Sequence, residues 1–235
     1  MPADSTLALL EDLGKQVVPL SDYLDRSYRN RIEPAGIDAK LWNNVAGRRY
    51  TSVTDLMICT RLLRLSRGQS GDVLIRYARD LQMADFKGAN MVLLGGVRAN
   101  PWQEMFQDKM NFRIGYDAGT EENRVVNSRP LAGENAAYNE RHDHSYHRAY
   151  GIIDVIPGLN SSTSILIVQG TSAAGTEAAA DFLFDNQLLE AALRRITGDA
   201  AKLPHFEMLL QADTVGGSAQ RPQVVATRVI PEPTP

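Results

Sequence analysis

An α/β fold with a mostly parallel central sheet is predicted by three features of the sequence. The first is a pair of short, unbroken apolar runs, Met91-Val92-Leu93-Leu94 and Ser164-Ile165-Leu166-Ile167-Val168. Runs of this length, bounded by turn residues, suit strands covered on both faces, as in a parallel sheet between helices. The second feature is that each run leads into a glycine loop and then a helical pattern, through Gly95-Gly96 in one case and Gly170 in the other. The third is a pair of strand patterns at 205–210 and 223–229, separated by Gly216-Gly217-Ser218, which predicts an antiparallel C-terminal edge hairpin. The expected organisation is a helical N-terminal extension over 1–47, an α/β domain over 48–230 and a disordered tail over 231–235.

The totals exclude several classes. The chain has 235 residues, 43% of them hydrophobic and 23% charged, which is ordinary for a globular protein with a sizeable core. A net charge of -3 and a pI of about 5.8 supply no positive field, so direct nucleic-acid binding is not expected. Cys59 is the sole cysteine, which rules out an internal disulfide and a cysteine-based zinc site. The start lacks the basic residues and apolar length of a signal peptide, and no stretch approaches the ~18 apolar residues of a membrane span. A cytoplasmic location is expected, or an envelope-facing one if the chain is a fragment of a longer protein.

In chain order, 6–14 has a helical pattern with Leu7, Leu10 and Leu13 on one side and Gly14 as a stop. Residues 21–31 interleave Tyr23 and Tyr28 with Arg26, Arg29 and Arg31. Such a stretch can stack on single-stranded nucleic acid, but in an acidic chain it reads as a surface helix with solvated arginines. Residues 39–45 predict a short helix carrying Trp42 to the core. Residues 54–64 predict an amphipathic helix with Thr54 as N-cap, Leu56, Cys59, Leu62 and Leu63 on the inner face, and Arg61 and Arg64 outside. Cys59 is then a buried apolar residue, not a nucleophile.

Residues 72–80 (DVLIRYARD) alternate as a strand would. Residues 82–87 make a short helix or turn, and Trp102, Met105 and Phe106 recur at helical spacing after Asn100-Pro101, a cap and first-turn pair. Phe112, Ile114 and Tyr116 mark a half-exposed strand, with Val125-Val126 starting its return. The polar segment 129–148 reads as a long irregular excursion. Residues 149–156 form a strong strand, and 178–195 a helix with a break near Asp185-Asn186.

The chemistry-bearing residues cluster in the loops after the apolar runs, with Tyr50-Thr51-Ser52 before a helix as a third, weaker member. If those strands are parallel, the loops share the carboxyl edge of the sheet, where such folds place ligands. Candidate ligand-binding residues are Thr51, Ser52, Gly95, Gly96, Arg98, Asn100, Gly170, Thr171, Ser172, Gly175 and Thr176. Backbone N–H groups and hydroxyls can hold an anion there, and Arg98 adds charge. Glycines and small polar residues also build tight turns with no ligand at all, so the two readings stand side by side.

Specific motifs are missing. Gly170 to Thr176 has P-loop spacing, but Thr176 stands in place of the lysine and Glu177 in place of the Ser/Thr that holds magnesium. No GxGxxG follows a strand and no GxSxG is present. His142, His144 and His147 form a cluster in the polar excursion that can gather a metal, and its composition favours a solvated loop of low affinity. Asp154 lies inside an apolar strand, where burial would raise its pKa, although alternation alone allows a solvated face as well. Asn160-Ser161-Ser162 fits a glycosylation sequon, with nothing else pointing to secretion.

Four segments together resemble an uncharacterised bacterial α/β domain. They are Arg49-Tyr50-Thr51-Ser52-Val53-Thr54-Asp55, Ala78-Arg79-Asp80-Leu81, residues 93–102 (LLGGVRANPW), and Gly170-Thr171 with Gly175-Thr176-Glu177-Ala178-Ala179. In that family the domain often follows a winged-helix module in regulator-like proteins, and the likeness runs from about Arg48 to Val229. No winged helix is recognisable in this chain. A looser similarity, GGxxxNP and later GTxAA, links it to flavodoxin-like domains of cell-envelope proteins such as the cellulose synthase periplasmic subunit. Both resemblances imply a flavodoxin-like three-layer sandwich used for sensing or protein contacts, and neither supplies catalytic residues.

The expectation is therefore a non-enzymatic sensory or interaction domain, part of a bacterial regulatory system, with no cofactor. Its partners would be a small anionic ligand or a protein, self-association included. The alternatives are an enzyme acting on a nucleotide- or sugar-like anionic substrate at the same edge, positioned by Arg98, Asn100 and Thr171, and a structural or assembly module whose edge hairpin pairs with another chain.

Overall fold

The computed structural model describes residues 1–32, 36–67, 71–117, 122–143, 146–160, 162–197, 203–215 and 218–231. The chain divides into two compact units, Met1–Met83 with Leu93–Met105, and Ala84–Val92 with Phe106–Pro235. Of the expected tail, only Pro231 lies within the described residues.

The first unit is helical. It contains α1 (Ser5–Gly14), α2 (Leu20–Asp25), α3 (Tyr28–Arg31), α4 (Ala39–Ala46) and α5 (Val53–Leu65), then a 3-10 turn at Ala78–Asp80. Asp4 starts α1 by accepting the Leu7 N–H at 3.2 Å, and Lys15 ends it in the left-handed region at φ 52. The same Asp4 carboxylate is fully buried and receives Arg79, the Tyr23 hydroxyl at 3.1 Å and the Tyr77 hydroxyl at 2.6 Å. A buried charge held by this many donors organises the unit, and removing Arg79 would leave it without its countercharge. Leu7, Leu10, Tyr28, Trp42 and Trp102 are buried in the same unit. The Trp102 indole donates to the Ala78 carbonyl at 2.9 Å, and the Trp42 indole to the Arg29 carbonyl at 3.2 Å.

Three expectations for this unit are corrected. Residues 72–77 form no strand: Val73, Leu74 and Ile75 are exposed, and alternation without a partner strand has no ladder to join. α5 begins at Ser52 rather than Thr54, because Ser52 is extended and its Oγ accepts the Asp55 N–H at 3.0 Å. Along this helix Asp55, Ile58 and Cys59 face inward, and Leu56 faces out. Asn100 does not cap the following helix with its side chain, and Pro101–Lys109 is wound as a 3-10 helix.

The second unit is a sheet with covers on both faces. Its strands are β1 (Met91–Leu94, of which Met91 and Val92 fall in this unit), β2 (Phe112–Asp117), β3 (Glu122–Asn127), β4 (Ala137–Asn139), β5 (Arg141–Asp143), β6 (Tyr146–Pro157), β7 (Ser164–Gly170), β8 (His205–Val215), β9 (Ser218–Ala219) and β10 (Gln223–Ile230). The helices are α6 (Asp85–Gly88), α7 (Ala173–Phe184) and α8 (Asn186–Thr197), with the expected break at Asp185. The large sheet runs β1-β7-β6-β8-β10, with β5 on β6 and β9 on β8; β2-β3-β4 form a separate small sheet. β10 is an antiparallel edge strand on β8, as the hairpin pattern predicts.

The sheet is mixed, and the expectation of a mostly parallel one is corrected. β6 pairs antiparallel with both β7 and β8, and β1 beside β7 is the one parallel pair. The apolar runs form strands, as their composition predicts, but the second cover of the sheet is not a helix layer. Phe112, Val125 and Tyr138 of the small sheet pack on Tyr150, Ile152, Leu209 and Ala226, while α7 lies against the alternate side chains. Double burial makes any strand apolar throughout, whatever its direction.

The polar excursion at 129–148 is also corrected. It holds β4, β5 and the first residues of β6, which are paired into the two sheets. No helix among the described residues is long and apolar enough to cross a membrane.

Candidate functional site

In the first unit, the predicted ligand groups are turned inward to hold the chain. The Thr51 hydroxyl donates to Asp55 Oδ2 at 3.3 Å, and the same carboxylate accepts the Ala3 N–H at 2.7 Å. Gly95 takes φ 78, and a side chain there would also press on Ala3. Gly96 closes the turn by accepting the Ala99 N–H at 3.0 Å. Asn100 is fully buried and donates Nδ2 to the Leu94 carbonyl at 3.1 Å. Arg98 is committed to two carboxylates: its Nε reaches Glu11 Oε2 at 3.0 Å, and a terminal nitrogen reaches Asp12 Oδ1 at 2.5 Å. Burial pushes Glu11 up to about 7, even though the Val18 N–H and Arg98 favour its charged form.

In the second unit, Gly170, Thr171, Ser172, Gly175 and Thr176 do come together, at the start of α7. Thr171 extends the ladder beyond β7: its N–H donates to the Tyr150 carbonyl at 2.9 Å and its Oγ1 accepts the Tyr150 N–H at 3.1 Å. The Thr176 hydroxyl donates to the Ser172 carbonyl at 3.2 Å. Ser172 Oγ is buried with no hydrogen-bond partner among the described residues. The glycines serve packing. A Cβ on Gly170 would strike the backbone of Gly175 and Thr176, one on Gly175 would strike the Tyr150 carbonyl, and one on Gly151 would sit 2.9 Å from the Ala179 Cβ. The first turn of α7 can lie directly on β6 and β7 only because all three side chains are missing.

Asp154 is buried. It stands opposite Glu207 in the β6–β8 register, and both carboxyls are shut in beneath the small sheet. Gln169 Nε2 donates to Asp154 Oδ2 at 3.1 Å, while the N–H groups of Asn111 and Phe112 donate to Glu207 Oε1 at 2.5 and 3.0 Å. Burial and the charge of Glu207 drive the Asp154 pKa well above the carboxylate range. Glu207 is raised by burial, against its two backbone donors. The two carboxyls therefore oppose each other's ionisation, and the rise is carried by burial first and by their mutual charge second at Asp154.

The histidine cluster changes membership. β5 pairs antiparallel with β6, and in that register His142 and His147 stand directly opposite one another. Their rings stack at 4.0 Å between centroids, tilted 20°. Glu140, buried to 6% exposure, lies beside them: His147 Nε2 is 3.1 Å from Oε1 and His142 Nε2 is 3.8 Å from Oε2. The three donor atoms lie within 4.8 Å of one another. His144 lies outside the described residues. Glu140 escapes a reading of the HDHSYH motif because it precedes it; the usable signal is the i, i+5 histidine spacing, which antiparallel pairing of β5 with β6 brings face to face.

Two shallow depressions lie elsewhere. One, of about 290 Å³, is lined by Gln211, Asp213, Gln220, Arg221 and Gln223, with Asp213 held by Arg148 at 2.8 and 2.9 Å. The other, of about 270 Å³, lies in the first unit beside Val18, Asp22, Tyr28 and Arg31. Burial raises the Cys59 pKa, which fits an inert core thiol. Compared with family models, curated proteins and solved structures, the chain matches none.

Proposed function

We propose that the chain is a non-enzymatic sensory or interaction domain that acts through contact with a protein surface. The observation that supports this most is the outer face of α5. Val53, Leu56 and Met57 are 73%, 58% and 54% exposed, whereas Asp55, Ile58 and Cys59 face the core. An amphipathic helix normally presents charge outward, and a row of large apolar side chains there favours burial against another chain. The resemblance to a domain of bacterial regulators agrees with such a role. So does the state of the expected anion-binding groups, since Arg98, Asn100, Thr171 and Thr176 hold the fold's own backbone and carboxylates.

The partner we infer is a second copy of the same face, because an apolar stripe can meet itself about a twofold axis. Sedimentation equilibrium tests this. The wild-type mass is expected to rise above 25.9 kDa with concentration, and that of the Leu56→Asp/Met57→Asp variant to stay there. Equal masses in both proteins at every concentration would overturn self-association. Turnover of a nucleotide or sugar phosphate, lost in Arg98→Ala, would instead select the enzymatic alternative.

A further inference from the structure

We infer that Glu140, His142 and His147 form a binding site for a divalent first-row transition cation, a role independent of the α5 contact. Two imidazole nitrogens and a carboxylate are ligands that such ions accept, and zinc or iron sites with open positions are built from this set. The placement fits a cation better than a hydrogen bond alone. His147 Nε2 at 3.1 Å from Oε1 can be a hydrogen bond, but His142 Nε2 at 3.8 Å from Oε2 is beyond one. Each carboxylate oxygen nevertheless faces a different imidazole, and both rings turn the same nitrogen toward Glu140. Metal bonds of about 2.0–2.2 Å place tetrahedral donors roughly 3.3–3.5 Å apart, so small movements of these side chains suffice to close the site.

The surroundings support the same reading. A carboxylate with 6% exposure requires compensating charge or donors, and among the described residues the two histidines lie against this one. Cross-strand pairing holds the rings in register on regular backbone, so the site does not depend on a floppy loop. His142 is 57% exposed, which leaves the site open to solvent on one side for an ion to enter and for water to complete the coordination. A bound ion would tie the β4–β5 connection to β6 and rigidify the hairpin.

The test is a zinc titration of tag-free protein against a chromogenic chelator, with cobalt as a spectroscopic substitute. Wild type is expected to take up one equivalent of zinc and, with cobalt, to show the visible absorption of a low-coordinate ion. Glu140→Gln, His142→Ala and His147→Ala are each expected to weaken zinc binding by about tenfold or more. His205→Ala, at the far end of the sheet from the hairpin, is expected to bind as wild type does. Should Glu140→Gln fail to fold, the two histidine variants still decide, since both lie on the hairpin and one is exposed. Absence of saturable binding in wild type, or unchanged binding in both histidine variants, would overturn the site. The α5 association experiment reads a different surface, so the two proposals fail separately.

Discussion

Asp154 and Glu207 show how a single ionisable position can set the pH response of a sheet. Burial and its neighbour's charge both oppose ionisation of Asp154 in the folded chain and raise its pKa. As pH rises above the ordinary carboxylate range, the unfolded chain releases a proton that the native chain keeps, so stability falls with rising pH. Asp154→Asn removes that loss; urea denaturation at about pH 4 and about pH 8 should show a shallower decline than in wild type. An equal or steeper decline would refute the raised pKa. Glu11 behaves alike in the first unit. Its pKa rises from 4.5 to about 7, so its contribution is intact below 4.5 and declines until about 7. The difference corresponds to about 3 kcal/mol. Glu11→Gln keeps an acceptor for the Val18 N–H and should abolish most of that decline, measured by thermal melts across the same window. Neither carboxyl could be assigned from pattern alone, because alternation does not say which face of a strand or helix is covered.

The contact between α7 and the sheet depends on Gly151, Gly170 and Gly175, and its tolerance is small. Gly151→Ala should cost about 1–3 kcal/mol in chemical denaturation, because the added methyl meets the backbone of Gly175 and cannot be accommodated by a rotamer change. An unchanged midpoint would mean that the helix can slide. At α5, Ser52→Ala should cost about 1 kcal/mol through the lost cap, while Thr54→Ala should cost far less. That comparison distinguishes the observed start of the helix from the one its sequence suggests. Leu56 reads as core in sequence and lies outside in the structure because the buried face is centred on Asp55, Ile58 and Cys59, about one position from the face that the leucines mark.

Across the chain, the candidate binding surfaces are not those that the strongest motifs mark. Glycine-rich loops after buried strands resemble anion cradles, yet here their hydroxyls and amides are used for ladder extension and helix packing. The groups brought together on an accessible surface, Glu140 with His142 and His147, come from a segment that reads as irregular and polar. Local pattern suffices for the strands at β1, β6 and β7, the break at Asp185, the edge hairpin and the burial of Cys59, because periodicity, capping residues and apolar runs act over a few neighbours. Strand direction, the second sheet covering β6 and β8, the pairing of His142 with His147 and the partners of Arg98 are decided only by contacts that the tertiary structure makes. An apolar run records how completely a strand is buried, and the same burial is produced by a helix, a parallel neighbour or a second sheet.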